Sequence, residues 1–319
     1  MRGSSGNRRK VLLLTTEPPN AIKTEWPHYQ NYNLPDILKA RGALVTLKSW
    51  REEGILTTIS QFDTVTFLWC KDYYKHSDAF FNFLDELQKT AYSSSCAPKM
   101  INDINLIQWN TNKRYLLEME QEGFAIPETR LVQPEKYTVS GLHALVQDFF
   151  PSGSVVLKPS ISGSAIMTHR VTDTSTMSLD DLTFLKLCTQ GKLHGFLVIQ
   201  AFEPNISAGE YSFIFVCTSL THVMLKRPKE GDYRVQDIYG GFNKLLDIRS
   251  INADTLQVVQ EIFMSLQRRF GEGRVGYVRI DGLITNDRPF VLMEIEAIEP
   301  HLWLETGNGV DEMLNILEA

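Results

Sequence analysis

Residues 276–305 read GYVRIDGLITNDRPFVLMEIEAIEPHLWLE, two apolar alternating runs separated by the turn-forming residues NDRP. This pattern predicts a β-hairpin, because alternate side chains of a strand point to the same face. Arg279 and Asp281 share one face of the first strand. Glu294 and Glu296 share one face of the second strand. If the strands pair with these faces together, three carboxylates and one guanidinium converge on one surface of an apolar sheet.

Carboxylates held this close raise one another's pKa and destabilise the fold unless a cation neutralises them. Oxygen-only ligands suit a hard cation such as Mg²⁺ or Mn²⁺. The hairpin therefore predicts a metal site formed by Asp281, Glu294 and Glu296. A further acid, Glu299, follows the second strand. The alternative is that the alternating charges mark only a solvated outer face of the sheet.

The bulk composition limits the classes of partner. The chain has 319 residues and a formal net charge of −6. A protein that binds nucleic acid through a basic surface needs an excess of Lys and Arg, so we expect no nucleic-acid partner. No apolar run approaches the roughly 20 residues of a membrane helix, so we expect no membrane partner. The four cysteines form no CxxC motif, which is typical of reduced thiols in a cytoplasmic protein. A homodimer is possible, and the sequence does not decide the oligomeric state.

The first hundred residues alternate short apolar runs with amphipathic segments. Strands are predicted at residues 10–16, 43–50 and 64–69, and helices at residues 28–41 and 78–90. Gly42 suits the end of the first helix, since glycine adopts a positive φ without strain. The alternation predicts a small doubly wound α/β domain. The first strand is not followed by a GxGxxG motif, so a Rossmann dinucleotide site is not supported.

The middle of the chain contains a candidate phosphate-binding loop. Thr111 first predicts the start of a helix that ends at Glu122. Further on, an apolar strand ends at Lys158 and leads into the small polar loop SISGS. A lysine and the backbone N–H groups of such a loop can hold phosphate oxygens. The spacing is not that of a Walker A motif, and the alternative is an exposed hairpin turn.

Two further groups suit a nucleotide. The strand predicted at residues 195–202 leads into QAFE, where a strand edge with free backbone groups can pair with an adenine, and the nearby Glu210 can accept from ribose hydroxyls. The second group is a basic patch formed by Lys226, Arg227, Lys229 and Arg234. Such a patch can hold a phosphate or a carboxylate. The alternatives are an ordinary strand with a surface acid and a solvated charged face.

Taken in order, five segments resemble the ATP-grasp superfamily of carboxylate–amine ligases. They read NKRYLLEMEQEGFAIPET, VVLKPSISGSA, IQAFEPNISAGEYSFIFV, YVRID and EIE. The resemblance covers the chain from about Trp109 to its end. Within the superfamily, HVMLKRPKEGDYRVQDIYGG and MEIEAIEP most resemble the branch that contains the cyclising ligase of D-cycloserine biosynthesis and glutathione-synthetase-like enzymes.

The resemblance implies an α/β plus α+β architecture. Residues 1–108 would form an N-terminal pre-ATP-grasp α/β domain. Residues 109–199 would form the lid subdomain, and residues 200–319 the C-terminal catalytic subdomain. ATP would lie between the two α+β halves, so the site would be assembled from residues far apart in the sequence.

The resemblance also implies roles for individual residues. Two lysines, Lys113 and Lys158, would contact the phosphates of ATP. The lid loop over the γ-phosphate would contain Ser160, Ser162, Gly163 and Ser164. The adenine hinge would be Gln200, Ala201 and Phe202, and the acid on the ribose side would be Glu210. Arg279 matches the arginine that supports the reacting acyl phosphate. Lys226 and Arg234 are expected to hold the transferring phosphate or the substrate carboxylate. The ligands of two Mg²⁺ ions would be Asp281, Glu294 and Glu296.

The function implied by the resemblance is an ATP-dependent carboxylate–amine ligase with a small amino-acid-like substrate. A carboxylate would become an acyl phosphate, and an amine would then displace phosphate to form an amide. One alternative is an ATP-dependent cyclase that joins the two groups within one molecule. Another is a non-catalytic nucleotide-binding protein. Many superfamily members have Asn where Glu296 stands, and the branch usually has a small residue where His301 follows the Glu-Pro pair, so the sequence does not name the substrates.

Overall fold

Three β-sheets, each built from a different third of the chain, form the framework of the protein. The structure is a computed structural model, and it describes residues 8–16, 34–93 and 97–319. The first sheet is parallel, and the other two are antiparallel. This combination confirms the predicted α/β plus α+β architecture. The domain boundaries at residues 108 and 199 stay predictions.

The N-terminal sheet has the strand order β2-β1-β3-β4. Its elements are β1 Lys10–Thr15, α1 Leu34–Ala40, β2 Leu44–Ser49, α2 Ile55–Ile59, β3 Thr64–Trp69, α3 Ser77–Ser93 and β4 Lys99–Met100. β3 is buried along its whole length and β1 along all but its first residue, as expected for central parallel strands covered on both faces. The helix predicted from residue 28 ends as expected before Gly42, whose φ is 98°. Its predicted start lies outside the described residues.

The second sheet has the order β5-β8-β6-β7 and is covered by two helices. Its elements are β5 Thr129–Val132, α6 Val139–Phe149, β6 Val155–Pro159, β7 His169–Val171, α7 Leu179–Thr189 and β8 Leu197–Ala201. α6 and α7 begin at side-chain caps, Thr138 and Ser178. Their apolar faces share one core with the inner face of the sheet. This layer fixes β6 and β8, which carry the predicted phosphate and adenine residues.

The third sheet has the order β11-β10-β9-β12-β13. Its elements are β9 Glu210–Val216, β10 Ser219–Arg227, β11 Phe242–Leu246, α8 Ala253–Phe270, β12 Tyr277–Leu283, β13 Val291–Glu296 and α9 Val310–Glu318. The predicted cap of α8, Asn252, accepts the N–H of Asp254. Phe263 of this helix stacks on Phe215 of the sheet, so the helix covers one face. The opposite face is left for the charged side chains of the hairpin.

Two short helices, α4 Ile104–Asn110 and α5 Tyr115–Gln121, connect the N-terminal sheet to the second sheet. The prediction that Thr111 begins a helix was wrong, because Thr111 ends α4 instead. Asp103 is the residue that caps α4, where its side chain accepts the N–H of Asn105. The break places Lys113 on the turn between the helices rather than within a helix.

Among the described residues, no helix combines the length and the apolar character needed to cross a bilayer. Three cysteines lie in this part of the chain, and none of them forms a disulfide. Burial raises the pKa of the Cys70 thiol well above its ordinary value. The predicted reduced state therefore fits these three residues, while Cys96 lies outside the described residues.

Candidate functional site

The predicted hairpin is confirmed, together with the register that brings its charged faces together. β12 and β13 pair antiparallel, with Arg279 opposite Glu296. Asp281 lies opposite Glu294 in the same ladder. The register then shifts at Gly282, where an added Cβ would lie 2.5 Å from a carbonyl oxygen of β13. Only glycine permits this approach of the two backbones, so the bulge and the register are fixed together.

The side chains of Asp281, Glu294 and Glu296, here called the acid cluster, form a candidate metal centre. One carboxylate oxygen from each lies within 4.8 Å of the others. Since all the donor atoms are oxygens, the residues fit a hard divalent cation. Glu299 does not join them, because its carboxylate lies 3.2 Å from Nζ of Lys71 in the N-terminal domain.

Two basic side chains of the same sheet neutralise part of the acid cluster. Arg279 donates from Nη2 to Asp281 at 2.8 Å and to Glu296 at 2.5 Å. Lys226 donates to Asp281 at 2.8 Å and lies 2.7 Å from Glu210. Burial alone would raise the pKa of Asp281, but the charges of Arg279 and Lys226 hold it well below its usual range. Asp281 therefore stays ionised in the absence of a metal ion.

Glu296 has a different protonation equilibrium. Burial raises its pKa to about 8, and the nearby charges of Glu294 and Asp281 add to this effect, while Arg279 opposes it. The side chain therefore binds a proton over much of the neutral range. A divalent cation would favour the ionised form, because it supplies the charge that the site lacks.

Two buried asparagines hold the hairpin at both ends of α4. Asn110 donates to the carbonyl of Ile295 at 2.7 Å and accepts the N–H of Ala297 at 2.7 Å, so it binds the backbone on both sides of the last acid. Asn102 donates to the carbonyls of Tyr277 and Ala297 at 2.9 and 2.6 Å. Sequence reasoning missed both residues. The only signal was their polarity at the two ends of an apolar segment.

Lys113 connects the acid cluster to the loop of residues 160–168, here called the lid loop. Its ammonium donates to the carbonyl of Ser162 at 2.7 Å and lies 3.2 Å from Glu294. Its backbone N–H donates to the carbonyl of Ser160 at 2.7 Å. The predicted phosphate lysine therefore lies between the loop and the acids, where a phosphate group would meet both.

Lys158 lies on β6, and its ammonium donates to Oε1 of Gln200 at 3.0 Å. Gln200 in turn donates to Thr129, which fixes the amide orientation. The pKa of Lys158 is lowered to about 8, mainly by burial. The charge of Lys113 also lowers it, whereas the charge of Glu294 opposes the shift. A buried ammonium whose partner is a neutral amide would form a much stronger, charge-assisted hydrogen bond with an anionic ligand.

The lid loop contains residues with two different roles. Ser160 is fully buried, and its hydroxyl accepts the N–H of Phe196 at 2.9 Å, so it holds the start of the loop. Ser162 donates to a carbonyl oxygen of β6 at 3.0 Å. Ser162, Gly163 and Ser164 border a large cavity that the acid cluster and Lys158 also border. The structure therefore brings these three to the candidate site, whereas Ser160 supports them from behind.

The predicted adenine hinge, Gln200 to Phe202, lies in and just after β8. The expectation of a free strand edge was wrong, because β8 pairs with β5 on one side and with β6 on the other. The N–H groups of Ala201 and Phe202 already donate to Glu128 and Ser154 at 2.8 and 2.9 Å. All three hinge residues nevertheless border the cavity. Their contact with adenine stays a prediction.

Glu210 and Arg234 border the cavity, and each is held by an ion pair. Burial raises the pKa of Glu210, although Lys226 opposes the shift from 2.7 Å. Arg234 donates to Asp232 at 2.7 Å, and its guanidinium lies 3.8 Å from the ring centre of Tyr239. Each could therefore share its charge with a ligand without leaving its partner.

A cavity of about 1270 Å³ lies between the two antiparallel sheets and the N-terminal domain. At the N-terminal-domain end the cavity is bordered by Lys71, Tyr73, Tyr74, Glu299, His301 and Trp303. Trp303 has a φ of 45°, a strained value for a residue with a Cβ, and its ring lies 5.4 Å from the guanidinium of Arg279. The sequence marked Glu299 as a further acid and His301 as a departure from the family pattern, but only the fold brings them together with the other four residues.

Comparisons with known proteins agree with this geometry. Residues 11–93 match the family described as D-cycloserine synthetase DcsG, N-terminal domain. The crystal structure of D-cycloserine synthetase DcsG matches with a TM-score of 0.75 and 17% identity, over 97% of this chain and 98% of that chain. None of the curated proteins matches the sequence.

Two further solved structures have the same fold. D-alanyl-alanine synthetase A from Vibrio cholerae O1 biovar eltor str. N16961 matches with a TM-score of 0.68 and 14% identity, over 98% of each chain. D-alanine–D-alanine ligase from Bacillus anthracis matches with a TM-score of 0.65 and 12% identity, over 97% of this chain and 95% of that chain. The predicted ATP-grasp fold is confirmed.

Proposed function

We propose that this protein of ATP-grasp fold is an ATP-dependent carboxylate–amine ligase. It would form an amide on a small amino-acid-like substrate and release ADP and phosphate. The observation that carries the proposal is one cavity in which the acid cluster faces Lys113 and Lys158. Phosphoryl transfer needs positioning and charge neutralisation more than covalent help from the protein, and this cavity offers both.

Asp281, Glu294 and Glu296 would hold two Mg²⁺ ions, or Mn²⁺ in their place. Two observations support the fit: the donors are all oxygens, and they lie within 4.8 Å of one another. When bound, the ions would neutralise charge on the phosphate oxygens. Two of the acids are already held by Arg279, so little rearrangement of the hairpin is needed.

In the first step, an oxygen of the substrate carboxylate attacks the γ-phosphorus of ATP. The bond from that phosphorus to the oxygen shared with the β-phosphate breaks, which gives an acyl phosphate and ADP. Lys113 and Lys158 would donate to the phosphate oxygens. Lys226 or Arg234 would hold the transferring phosphate or the substrate carboxylate.

In the second step, the amine nitrogen attacks the acyl carbon and forms a tetrahedral oxyanion. The bond from carbon to the phosphate oxygen breaks, and the nitrogen passes a proton to the departing phosphate, which gives the amide and inorganic phosphate. Arg279 would donate to the oxyanion, since its guanidinium lies in the same cavity. The lid loop, including Ser162, Gly163 and Ser164, would exclude water, which would otherwise hydrolyse the acyl phosphate.

The nucleotide base would lie at the other end of the cavity. Gln200, Ala201 and Phe202 would contact the adenine, and Glu210 would accept from the ribose hydroxyls. This assignment is supported by the position of these residues on the cavity wall beside Lys158. The substrates would then occupy the end that borders the N-terminal domain.

The test is ADP release measured across a panel of small carboxylates, each with an amine, with and without Mg²⁺. We expect release that requires both the carboxylate and the metal ion. Hydroxylamine supplied as the amine should trap the acyl phosphate as a hydroxamate. Nucleotide binding without ADP release for any substrate would instead support a non-catalytic nucleotide-binding protein.

A second candidate function is intramolecular cyclisation of an amino-acid derivative. The match of residues 11–93 to the N-terminal domain of a D-cycloserine synthetase favours it. Mass spectrometry of the product separates the two functions. Ligation adds the mass of a second substrate less one water, whereas cyclisation removes one water from a single substrate.

A further inference from the structure

A tyrosine of the N-terminal domain packs directly on the glycine of the lid loop. A Cβ added to Gly163 would lie 2.7 Å from Cε1 and 2.9 Å from Cδ1 of Tyr74. Carbon atoms do not approach this closely, so only a residue without a Cβ can lie flat on the ring. Tyr74 is buried in the 3₁₀ turn Tyr73–His76, where its ring packs edge-on against Tyr73 with 5.7 Å between the ring centres.

The start of the lid loop is part of the N-terminal domain's apolar core. Ile161 is buried in the same cluster of side chains as Tyr74 and Phe80. The 3₁₀ turn has a second contact nearby, where the hydroxyl of Ser77 lies 3.2 Å from Nδ1 of His194. The carbonyl of His194 accepts the N–H of Ile161 at 3.4 Å, a long hydrogen bond, so the main anchor is the burial of the Ile161 side chain. The first half of the loop is therefore anchored outside its own subdomain.

The second half of the loop has a different backbone. Ser164, Ala165 and Met167 have φ values of 52°, 55° and 53°, in the left-handed region that residues with a Cβ disfavour. The hydroxyl of Tyr239 donates to the carbonyl of Ser164 at 3.3 Å, a long hydrogen bond. The N–H groups of Ile166 and Thr168 donate to the carbonyls of Gly163 and Ala165 at 3.0 and 3.2 Å, so these hydrogen bonds lie within the loop itself. This half stores strain and can change conformation without breaking them.

The anchored half is the one that meets the phosphate-binding residues. Lys113 donates to the carbonyl of Ser162 at 2.7 Å, and the same ammonium lies 3.2 Å from Glu294. Gly163 is the next residue and lies between this contact and the strained half. The height of the loop above the acid cluster is therefore set where Gly163 rests on the ring.

We propose that Tyr74 is a positioning residue, whose ring fixes Gly163 and the anchored half of the lid loop over the transferring phosphate. Only residues 164–168 would then open and close. This inference rests on the proposed function, since it assigns the lid loop to the phosphates of ATP. It makes the N-terminal domain part of the nucleotide site, although its sheet lies outside the two halves that enclose the nucleotide.

The experiment is a double-variant cycle on the full chain, read as the Kd of a non-hydrolysable ATP analogue by calorimetry. Gly163→Ala should raise the Kd at least tenfold, because the methyl group forces the loop away from the ring. Tyr74→Ala should raise it a few fold. The double variant should bind within about twofold of Tyr74→Ala alone, since the missing ring leaves room for the methyl group.

Conservative and matched variants complete the cycle. Tyr74→Phe keeps the ring carbons that touch Gly163 and should restore most of the affinity lost in Tyr74→Ala. Gly141→Ala adds a methyl group on α6, and Tyr137→Ala removes an exposed ring. Both changes lie outside the lid loop and should leave the Kd unchanged. The same cycle read as Tm tests the contact between ring and glycine with no nucleotide present.

Each outcome has a defined meaning. A double variant whose loss equals the product of the two single losses would overturn the contact between ring and glycine. An unchanged Kd in Gly163→Ala would overturn it as well. If the unaltered protein does not bind the analogue, the proposed function is wrong, and the Tm cycle alone then decides whether Tyr74 holds the loop.

Discussion

The two antiparallel sheets that border the cavity present their charges differently. On the five-stranded sheet, Arg279 and Lys226 each donate to Asp281 at 2.8 Å. On the four-stranded sheet, Lys158 donates to the neutral amide of Gln200 at 3.0 Å. One sheet thus holds acids that its own bases neutralise in part, whereas the other holds an ammonium beside a neutral dipole. The first suits a fixed frame for cations, and the second suits capture of an anion.

This difference predicts which substitutions affect folding and which affect only ligand binding. Removing one partner from a buried ion pair leaves an uncompensated charge and costs about 3–5 kcal/mol. Substitutions on the five-stranded sheet should therefore affect folding as well as turnover. Removing Lys158 leaves only an amide, so its loss should affect ligand binding with little effect on folding.

The largest effect is expected for Glu294→Gln, which removes one carboxylate of the acid cluster while keeping its shape. Mg²⁺-dependent ADP release with the correct substrate should fall at least about 10³-fold, because metal ions stabilise the charge transferred with the phosphate. Glu120→Gln on the exposed face of α5 is the matched control and should retain activity. Full activity of Glu294→Gln would contradict its role as a metal ligand.

The next effect concerns the reacting carbonyl. Arg279→Met should lower kcat about 10²–10³-fold, since it removes the donor to the oxyanion. The free energy of unfolding should also fall, because Asp281 and Glu296 lose their shared partner. Denaturant unfolding and kcat measured on the same folded sample separate the two effects. A normal kcat in a destabilised protein would limit Arg279 to a structural role.

A smaller effect is expected on the four-stranded sheet. Lys158→Ala should raise the Kd for ATP by about 10–100-fold through loss of a charge-assisted hydrogen bond of roughly 1.5–3 kcal/mol. Calorimetry measures the Kd, and thermal unfolding without nucleotide should change little. An unchanged Kd would remove this lysine from the nucleotide site.

The smallest effect is a pH dependence of nucleotide binding. Burial lowers the pKa of Lys158 to about 8, so the ammonium is present below pH 8 and is lost above it. The protonated fraction falls roughly tenfold between pH 7 and pH 9, and the Kd for ATP should rise by the same factor. Lys158→Arg should lose this tenfold rise, because arginine stays charged throughout, and any pH dependence that remains would belong to other groups such as Glu296. Equal profiles for both proteins would rule out titration of this residue.

The hairpin could be predicted from the sequence because its chemistry is local. Alternation placed Asp281 and Glu294 on defined faces, and the short turn left few registers. Glu299 was harder, since β13 ends at Glu296 and the alternation stops there. Beyond that point the backbone turns, and the carboxylate meets Lys71 from another domain.

The remainder of the site depends on contacts between distant segments. Thr111 has the residue type of a helix start, but the adjoining helix already begins at the cap of Asp103, and so Lys113 falls on a turn. The pairing partners of β8 could not be read from its own residues either. The approach of Tyr74 to Gly163 joins residues of two domains, and no local pattern could predict it.

The buried hydrogen bonds that Asn102 and Asn110 form with the hairpin backbone also predict different rates of amide hydrogen exchange within the site. The N–H groups of Ile295 and Ala297 donate to Tyr115 and Asn110 at 2.9 and 2.7 Å, so their exchange with solvent deuterium requires opening of the buried hairpin. In the strained half of the lid loop, the N–H groups of Ile166 and Thr168 donate only to carbonyls of the loop itself, at 3.0 and 3.2 Å, and can exchange by local opening. We therefore expect the amides of Ile295 and Ala297 to exchange with solvent far more slowly than the amides of residues 164–168.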